Sequence, residues 1–566
     1  MTVLVYSNTF DVPFLFDDYT SIESKAQLYS QDVYALYKYF GSRFITYLTF
    51  KLNYQVNGFE VWGYHLVNLF IHLLTSACVY LLSIQLFTMN NILSKDRNKK
   101  NSKYIFALIV TLIFALHPLQ TQAVTYIVQR GASIAALFYI ATLLSYIHLR
   151  LSTKSVKQAL FAFLTLLFML LAFFSKQNTY TLPAALLLIE IVFIYQLNNR
   201  PYKHLIKPVV ILSVISVFAV FYVLNAHPEF ISKLDSLTRE TNDFSRMQYL
   251  ETQLGVVLLY VKLFFLPISQ QVEYIYPLED GNFFNSLGLI FVYFITISFA
   301  IWKVKTKPIL SFAILFFFLT HLVESALIPI SDLVFEHRSY LPNISLCLIV
   351  GCLLLSLFQN NKKSMLFILI ITLSAISILT YQRNSIWADE EALYKNELKM
   401  SDKKTRIHGM LGNYYYEQKM HKKSAESFKK AFDNAGDFDD LDNLGYRDKF
   451  GYFTNYTAAL GRIGKSKEAI EITLEILPKI KENQFLARIL TNLGVFYWKD
   501  KNYLLCTKYM FKAMKIEPNM IEAIVGVGKC FAEMGDKEMA KHMFERALRV
   551  SPRARQIHKA IKETGI

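Results

Sequence analysis

Ten strongly apolar runs lie between Trp62 and Tyr381, and a charged tail follows from Gln382 to Ile566. The runs fall at 62–87, 104–118, 133–150, 158–174, 180–196, 208–225, 285–302, 309–328, 341–358 and 364–381. A helix needs about 20 apolar residues to cross a hydrocarbon core of roughly 30 Å, and tilt or local thinning accommodates shorter runs. The pattern predicts an all-α chain: a polytopic membrane bundle over 1–381, a linker helix over 382–403 and a helical repeat domain over 404–566.

The charged residues alternate with the apolar runs. Lys and Arg number 60 against 44 Asp and Glu, a net charge of +16 that would suit a nucleic-acid-binding protein. Much of the excess instead sits in short clusters between apolar runs, as in cytoplasmic loops. The clusters lie at 95–103, 150–157, 200–207, 303–307 and 362–363. Every second loop is basic, so the loops that hold Asp17, His117, Lys176, Asp235 and Glu336, and the whole tail, are predicted to face the opposite side.

Two segments depart from this alternation. If residues 250–267 crossed the membrane, the clusters at 303–307 and 362–363 would lie outside, so this segment is predicted to be an amphipathic or re-entrant helix at the outer surface. No full span and no signal peptide precede Asp17. Either a short first helix is tolerated or the coding start lies upstream and one span is missing, and the second interpretation is favoured.

Small and aromatic residues recur in the tail at a spacing of 34, the period of tetratricopeptide repeats. Gly494, Tyr497, Ala513 and Pro518 return as Gly528, Phe531, Ala547 and Pro552, with Ala540 and Phe544 added; Gly412, Tyr415, Phe428 and Ala431 mark an earlier copy, and the run around Ala469 a degenerate one. About four stacked repeats would present a concave surface to an extended peptide or a partner protein. An inert helical spacer is the plainer alternative.

The five cysteines are scattered and show no paired metal spacing. They are Cys78, Cys347, Cys352, Cys506 and Cys530. This pattern predicts neither a disulfide framework nor a zinc site.

An acidic pair, Asp17 and Asp18 in FLFDDYTSI, lies on the predicted outer side after a short apolar stretch. A carboxylate at the mouth of a membrane cavity could take the proton from an incoming hydroxyl, and the two together could hold a divalent cation. Because solvated turns and helix caps also carry such dipeptides, the pair alone is a weak signal.

Other outer segments add polar and cationic candidates. These are Arg43, then His65, Asn68 and His72 along one helix face, His117, Gln122 and Arg130 in HPLQTQAVTYIVQRG, Lys176 in FFSKQNTYTLP, and Glu336, His337, Arg338 and Tyr340 in FEHRSYLPN. Cationic side chains at headgroup depth suit a phosphate. Interhelical hydrogen bonding or snorkelling explains any single one of them. Their concentration on the side where the charge rule does not place cations indicates a site.

In this order, these motifs and the helical repeats resemble the transmembrane and tetratricopeptide-repeat-containing O-mannosyltransferases and their bacterial relatives, which are GT-C class membrane glycosyltransferases. The resemblance implies a GT-C-like bundle, a sugar carried on a polyprenyl phosphate, and transfer to Ser or Thr hydroxyls of a protein on the extracytoplasmic face. It matches Asp17 and Asp18 to the catalytic acidic pair, Arg43 to a basic motif position, and 336–340 to a late outer motif. Gln122 stands where the family usually has an acid, which puts the role of that acid in doubt.

On this basis Asp17 or Asp18 is the expected base, and Arg43, Lys176 and Arg338 are expected to bind the donor phosphate. His65, His117, Glu336, His337 and Tyr340 are further candidates. No cofactor is required. The expected partners are the lipid-linked sugar (mannose or another hexose), a Ser/Thr-bearing protein acceptor, membrane lipids and a protein bound by the repeats, and no nucleic acid.

Several alternatives stay open at this stage: a glycan or lipid acceptor, a non-catalytic membrane scaffold, and a transporter. The location expected is a bacterial inner membrane with the repeats in the periplasm or outside, and the alternative is the endoplasmic reticulum with the repeats in the lumen.

Overall fold

A computed structural model of the chain describes residues 1–30, 32–94, 102–197, 241, 243–282, 284–358, 361–436, 443–480, 483–551 and 554–566. These residues form helices joined by turns and loops, without a strand among them. They divide into a membrane unit, Met1–Leu393, and a repeat unit, Tyr394–Ile566. The predicted run at 208–225 and the basic cluster at 200–207 lie outside the described residues.

The membrane unit is built from apolar helices that match the other nine runs. Its α-helices are α1 Thr2–Val5, α2 Ala26–Tyr29, α3 Val33–Phe40, α4 Phe44–Asn57, α5 Val61–Ser94, α6 Ser102–Leu116, α7 Thr121–Val124, α8 Arg130–Leu151, α9 Ser155–Phe173, α10 Leu182–Ile189, α11 Tyr195–Leu197, α12 Arg246–Phe265, α13 Leu287–Lys303, α14 Pro308–His321, α15 Asn343–Leu357 and α16 Lys362–Trp387. Short π or 3₁₀ segments lie at Tyr19–Glu23, Gly41–Arg43, Pro118–Gln120, Ile127–Gln129, Gln177–Thr181, Glu190–Ile194, Val323–Leu327 and Glu336–Ser339.

Among the described helices, five are long and apolar enough to cross a membrane, and a sixth span results if the bent pair at residues 102–124 counts as one. α13, α14 and α15 are apolar but shorter, with 14 to 17 residues. Large apolar side chains on the outward faces of the bundle helices are exposed to the surroundings. Phe163 on α9, for example, is 62% exposed. A bilayer gives such faces an apolar surrounding, so the prediction of an all-α membrane bundle is confirmed.

The helices separate two chemically different ends of the bundle. α14 begins directly after the basic segment 303–307 and ends just before Glu324, and α15 begins after Arg338 and returns toward Lys362. α14 packs on α13 and α15, and α15 on α6. We call the end with residues 303–307 and 361–363 the basic end and the end with residues 117–130, 174–181 and 322–342 the outer end.

Helix α12 lies along the outer end. Gln253 Nε2 donates to Leu333 O at 2.9 Å, and Phe335 N donates to Tyr260 Oη at 3.2 Å. Near its carboxyl end, Phe264 O bonds His117 Nε2 at 2.8 Å. Because these partners are outer-end loops spread over most of the helix, α12 runs beside those loops.

The repeat unit consists of four described helix pairs preceded and followed by single helices. These are α17 Glu390–Met400, α18 Thr405–Glu417, α19 His421–Asn434, α20 Asn443–Arg462, α21 Ser466–Ile476, α22 Asn483–Lys499, α23 Tyr503–Ile516, α24 Ile521–Glu533, α25 Lys537–Val550 and α26 Arg555–Thr564, with a 3₁₀ turn at Leu477–Lys479. A Cβ on Gly412 would lie 2.7 Å from Phe428, and one on Gly528 would lie 2.7 Å from Phe544. The glycines therefore sit where paired helices touch, which is why they recur. Pro552 lies outside the described residues.

One cysteine prediction is wrong. Cys506 on α23 and Cys530 on α24 form a disulfide with their Cα atoms 6.5 Å apart. Their separation of 24 residues gave no sign of pairing, because only the packing of α23 on α24 brings the two thiols together. Cys78, Cys347 and Cys352 are unpaired thiols.

Candidate active site

A cavity of about 550 Å³ opens at the outer end of the membrane unit. It is lined by Asp17, Ser42, Arg43, Gln129, Lys176, Gln177, Tyr180, Val323, Glu324, Ile328, Ile330, Asp332, Phe335, His337 and Arg338. These residues come from five segments that are separated in the sequence, at 17, 42–43, 129, 176–180 and 323–338. Five of the candidates named from the sequence line it, namely Asp17, Arg43, Lys176, His337 and Arg338. The arrangement gathers acids, cations and one imidazole around a volume suited to a small ligand.

The acidic pair is divided by the backbone. Phe16 adopts a left-handed conformation with φ +47°, which is unusual for a bulky residue, and its ring packs edge-on against Tyr126 and Trp387. Asp17, whose backbone N–H donates to Tyr126 Oη at 2.8 Å, is half-buried and lines the cavity. Asp18 points into the protein. The strained turn thus presents one carboxylate to the cavity and holds the other in the core.

The Asp18 carboxylate connects its own loop to the loop that contains Val128 through hydrogen bonds to backbone N–H groups. Its Oδ2 accepts from Leu15 N at 3.0 Å and its Oδ1 accepts from Val128 N at 2.7 Å, and the residue is 1% exposed. Burial raises the pKa of Asp18 well above its usual range, against the two backbone N–H groups that lower it. Asp18 does not line the cavity, so its position indicates a positioning role for it.

The two carboxylates lie in different surroundings. Both Asp18 oxygens accept backbone N–H groups, whereas Asp17 lines the cavity. Among the described residues, no cluster of three or more His, Cys, Asp or Glu side chains has a metal-binding arrangement.

Three cationic side chains line the cavity, each held by a neighbour. Lys176 Nζ is 2.7 Å from Glu324 Oε1. Arg43 Nε donates to Gln177 Oε1 at 3.2 Å, and Arg338 Nη2 donates to Asp332 O at 2.7 Å. Burial alone would raise the pKa of Glu324, but Lys176 and Arg338 lower it overall, so this carboxylate is ionised beside the lysine.

His337 is held in one tautomer by Gln122. Gln122 Oε1 accepts from His337 N at 2.8 Å and lies 3.0 Å from His337 Nδ1. Since the backbone N–H needs an acceptor, the amide oxygen faces the histidine, and Nδ1 must carry a proton to donate to it. Nε2 is then the basic nitrogen. Burial, Lys176 and Arg338 lower the pKa of His337 well below its usual value, so the ring is neutral at physiological pH.

Four other candidates lie in the packed interior and do not line the cavity. His65 Nε2 bonds Val12 O at 2.8 Å, and His117 stacks on Phe264. Glu336 pairs with Arg383 at 3.0 Å, and Tyr340 Oη bonds His72 Nδ1 at 2.7 Å. The polar stripe on α5 is also structural, because Asn68 Oδ1 accepts from the buried Arg130 Nε at 2.6 Å.

Glu324 was the main residue that sequence reasoning missed. It lies within the run 309–328, which the apolar pattern predicts to be one span. A carboxylate at membrane depth costs about 2.5–3.5 kcal/mol on insertion scales, so the acid itself was the signal that could have revealed it. Gln177, Tyr180 and Asp332 also line the cavity, close in sequence to predicted candidates. No sequence pattern of their own distinguishes these three residues.

Comparisons with known proteins cover both units. A sequence model described as Tetratricopeptide repeat matches residues 521–553. Protein O-mannosyl-transferase TMTC3 of Homo sapiens is 23% identical over 96% of this chain and 62% of its own length. Protein O-mannosyl-transferase F38B6.6 of Caenorhabditis elegans is 24% identical over 73% of this chain and 58% of its own. The chain thus spans about three fifths of the length of these relatives.

YrrB, a solved tetratricopeptide-repeat protein with an unusual peptide-binding site, is 17% identical to this chain. The match covers 37% of this chain and 97% of YrrB, with a TM-score of 0.25. The similarity along nearly the whole chain and the repeat match support the resemblance that the motifs indicated: this chain is similar to the transmembrane and tetratricopeptide-repeat-containing O-mannosyltransferases.

Proposed function

We propose that this protein is a GT-C type membrane glycosyltransferase that moves mannose or another hexose from a polyprenyl-phosphate donor to Ser or Thr hydroxyls of proteins on the extracytoplasmic face. The observation that carries the proposal is the outer-end cavity, where Asp17 shares one volume with Arg43, Lys176 and Arg338. The names of the relatives, protein O-mannosyl-transferases, favour a protein acceptor.

In the proposed reaction, the acceptor hydroxyl oxygen attacks the anomeric carbon of the donor. The bond from that carbon to the phosphate oxygen breaks as the new glycosidic bond forms, the hydroxyl proton passes to the Asp17 carboxylate, and polyprenyl phosphate leaves. A single displacement inverts the anomeric configuration. Arg43, Lys176 and Arg338 stabilise the charge that develops on the leaving phosphate.

The repeat unit is proposed to recruit the acceptor or a partner protein in the same compartment. The Cys506–Cys530 disulfide supports this placement, because such bonds persist in oxidising compartments such as the periplasm or the endoplasmic reticulum lumen.

The test is transfer of radiolabelled mannose to a Ser/Thr-rich acceptor protein by the purified full chain. Polyprenyl-phosphate mannose should support transfer and GDP-mannose should not. Transfer from GDP-mannose alone would overturn the donor assignment, and label recovered only in lipid or glycan would overturn the protein acceptor.

Removing a cavity cation should weaken donor use. In Arg43→Met we expect the KM for the lipid-linked donor to rise about tenfold or more, because a charge-assisted hydrogen bond contributes roughly 1.5–3 kcal/mol. Lys25→Met removes the same charge from the same unit at a side chain that does not line the cavity, and it should leave KM unchanged. Equal effects of both substitutions would indicate a general charge effect in place of a phosphate site.

Restoring an acid at position 122 should alter the pH dependence. In Gln122→Glu, the carboxylate still accepts from His337 N and Nδ1 but stabilises the imidazolium, so the pKa of His337 rises. The wild-type histidine stays neutral until well below its usual pKa. The acid limb of the kcat/KM profile should therefore move to higher pH in the variant.

Gln122→Met is the matched control, since it removes the acceptor without adding charge. It should lower activity across the whole pH range and leave the acid limb in place. If the profile of Gln122→Glu coincides with that of the wild type, the state of His337 does not govern the reaction.

A further inference from the structure

A second cavity, of about 450 Å³, lies at the basic end of the membrane unit. It is formed by the last turns of α5 and α15 and the first turns of α6, α14 and α16. Its lining consists of Phe87, Asn90, Asn91, Ser102, Ile105, Phe106, Thr306, Lys307, Ile309, Leu310, Cys352, Leu353, Leu355, Ser356, Phe358, Lys362 and Met365. α14 and α15 each run from this cavity toward the outer-end cavity, so the two cavities are separate sites.

The lining combines cationic, neutral polar and apolar groups. Lys307, at the N-cap of α14, and Lys362, the first residue of α16, supply two ammonium groups, and none of the described residues that line the cavity is Asp or Glu. Ser102, Thr306 and Ser356 add hydroxyl groups. A phosphate with its ester oxygens matches this set, because lysine ammonium and hydroxyl groups both donate to phosphate oxygens.

The remaining wall is apolar and reaches the lipid-facing surface. Phe106 and Met365 are buried behind the cavity, while Ile105 is 37% and Leu353 is 48% exposed on the outward side. Free inorganic phosphate would gain nothing from an apolar wall. An acyl chain that lies along it would keep apolar contact with both the protein and the surrounding lipid. The occupant that fits both halves is therefore a lipid with an anionic head.

We propose that this cavity is a binding site for an anionic phospholipid of the leaflet at the basic end, with its phosphate between Lys307 and Lys362 and an acyl chain along Ile105, Phe106 and Leu353. The site is independent of the proposed sugar transfer.

The test is native mass spectrometry of the purified full chain mixed with equal amounts of dioleoylphosphatidylglycerol and dioleoylphosphatidylcholine. The anionic lipid should be retained in preference to the zwitterionic one. In Lys307→Ala/Lys362→Ala its apparent affinity should fall about tenfold or more, because each lysine near a membrane surface adds measurably to anionic-lipid binding.

Two variants separate a built cavity from a generally basic surface. Lys154→Ala/Lys157→Ala removes the same charge from side chains at the same end that do not line the cavity, and it should retain the lipid. Ser356→Trp keeps both lysines but fills the cavity, and it should lose the lipid. Equal loss in the two lysine pairs, or full retention in Ser356→Trp, would overturn the proposal. So would displacement of the lipid by a tenfold excess of inorganic phosphate, which would assign the site to the free anion.

Discussion

Asp17→Asn is expected to lower the turnover of sugar transfer by a factor of about 10² to 10⁴, the usual contribution of a general base. The amide keeps the shape of the side chain and its place in the cavity wall but cannot accept the hydroxyl proton. The KM for the donor and the unfolding temperature should change little, because the backbone N–H bond to Tyr126 is untouched. The measurement is kcat with polyprenyl-phosphate mannose and the acceptor protein.

Asp18→Asn is the informative comparison, because the Asp18 carboxylate binds two backbone N–H groups, whereas Asp17 is the proposed base. The amide can accept only one of the two backbone N–H groups from Leu15 and Val128, and an unmade buried hydrogen bond costs about 1–3 kcal/mol. The unfolding temperature should fall along with activity. If Asp17→Asn turns over normally, Asp17 is not the base, and His337 with its basic Nε2 becomes the candidate.

Glu336→Ala is expected to produce the largest loss of stability among single substitutions at the outer end, about 3–5 kcal/mol. Glu336 is fully buried and pairs with Arg383 at 3.0 Å. It also accepts from Gln270 Nε2 at 3.0 Å, Gln271 N at 2.9 Å and Tyr274 Oη at 2.7 Å. Truncation leaves a buried guanidinium and three donors without their acceptor, and chemical unfolding of the full chain in detergent, followed by tryptophan fluorescence, measures the cost.

An exposed ion pair provides the matched control. Glu468 pairs with Lys465 at 2.7 Å, but the two side chains are 41% and 56% exposed, so Glu468→Ala should cost less than about 1 kcal/mol. The reason is that water already solvates both charges. A similar small cost for Glu336→Ala would mean that water reaches Arg383 when the acid is removed, and that the pair does not hold the loop 270–274 against α16.

Part of the candidate site could be predicted from the sequence, because a charged side chain at membrane depth costs free energy and therefore needs a reason. Lys176, His337 and Arg338 stood out as ionisable residues beside apolar runs, and the structure places all three on one cavity. The same reasoning also selected His117 and Tyr340, which do not line the cavity, because a buried hydrogen bond to a backbone carbonyl or another side chain satisfies a polar group as well as a ligand does. Periodicity cannot distinguish those two outcomes.

The sequence alone determined the membrane helices, their alternating charge and the repeats, because hydropathy over about 20 residues and a period of 34 are local properties that each segment carries by itself. Only the tertiary structure decided that Asp17 faces a cavity while Asp18 binds two backbone amides, that Glu324 meets Lys176, and that Cys506 meets Cys530. Those outcomes depend on a single strained turn and on contacts between helices far apart in the chain. Side-chain direction and long-range packing leave no mark in the spacing of residues.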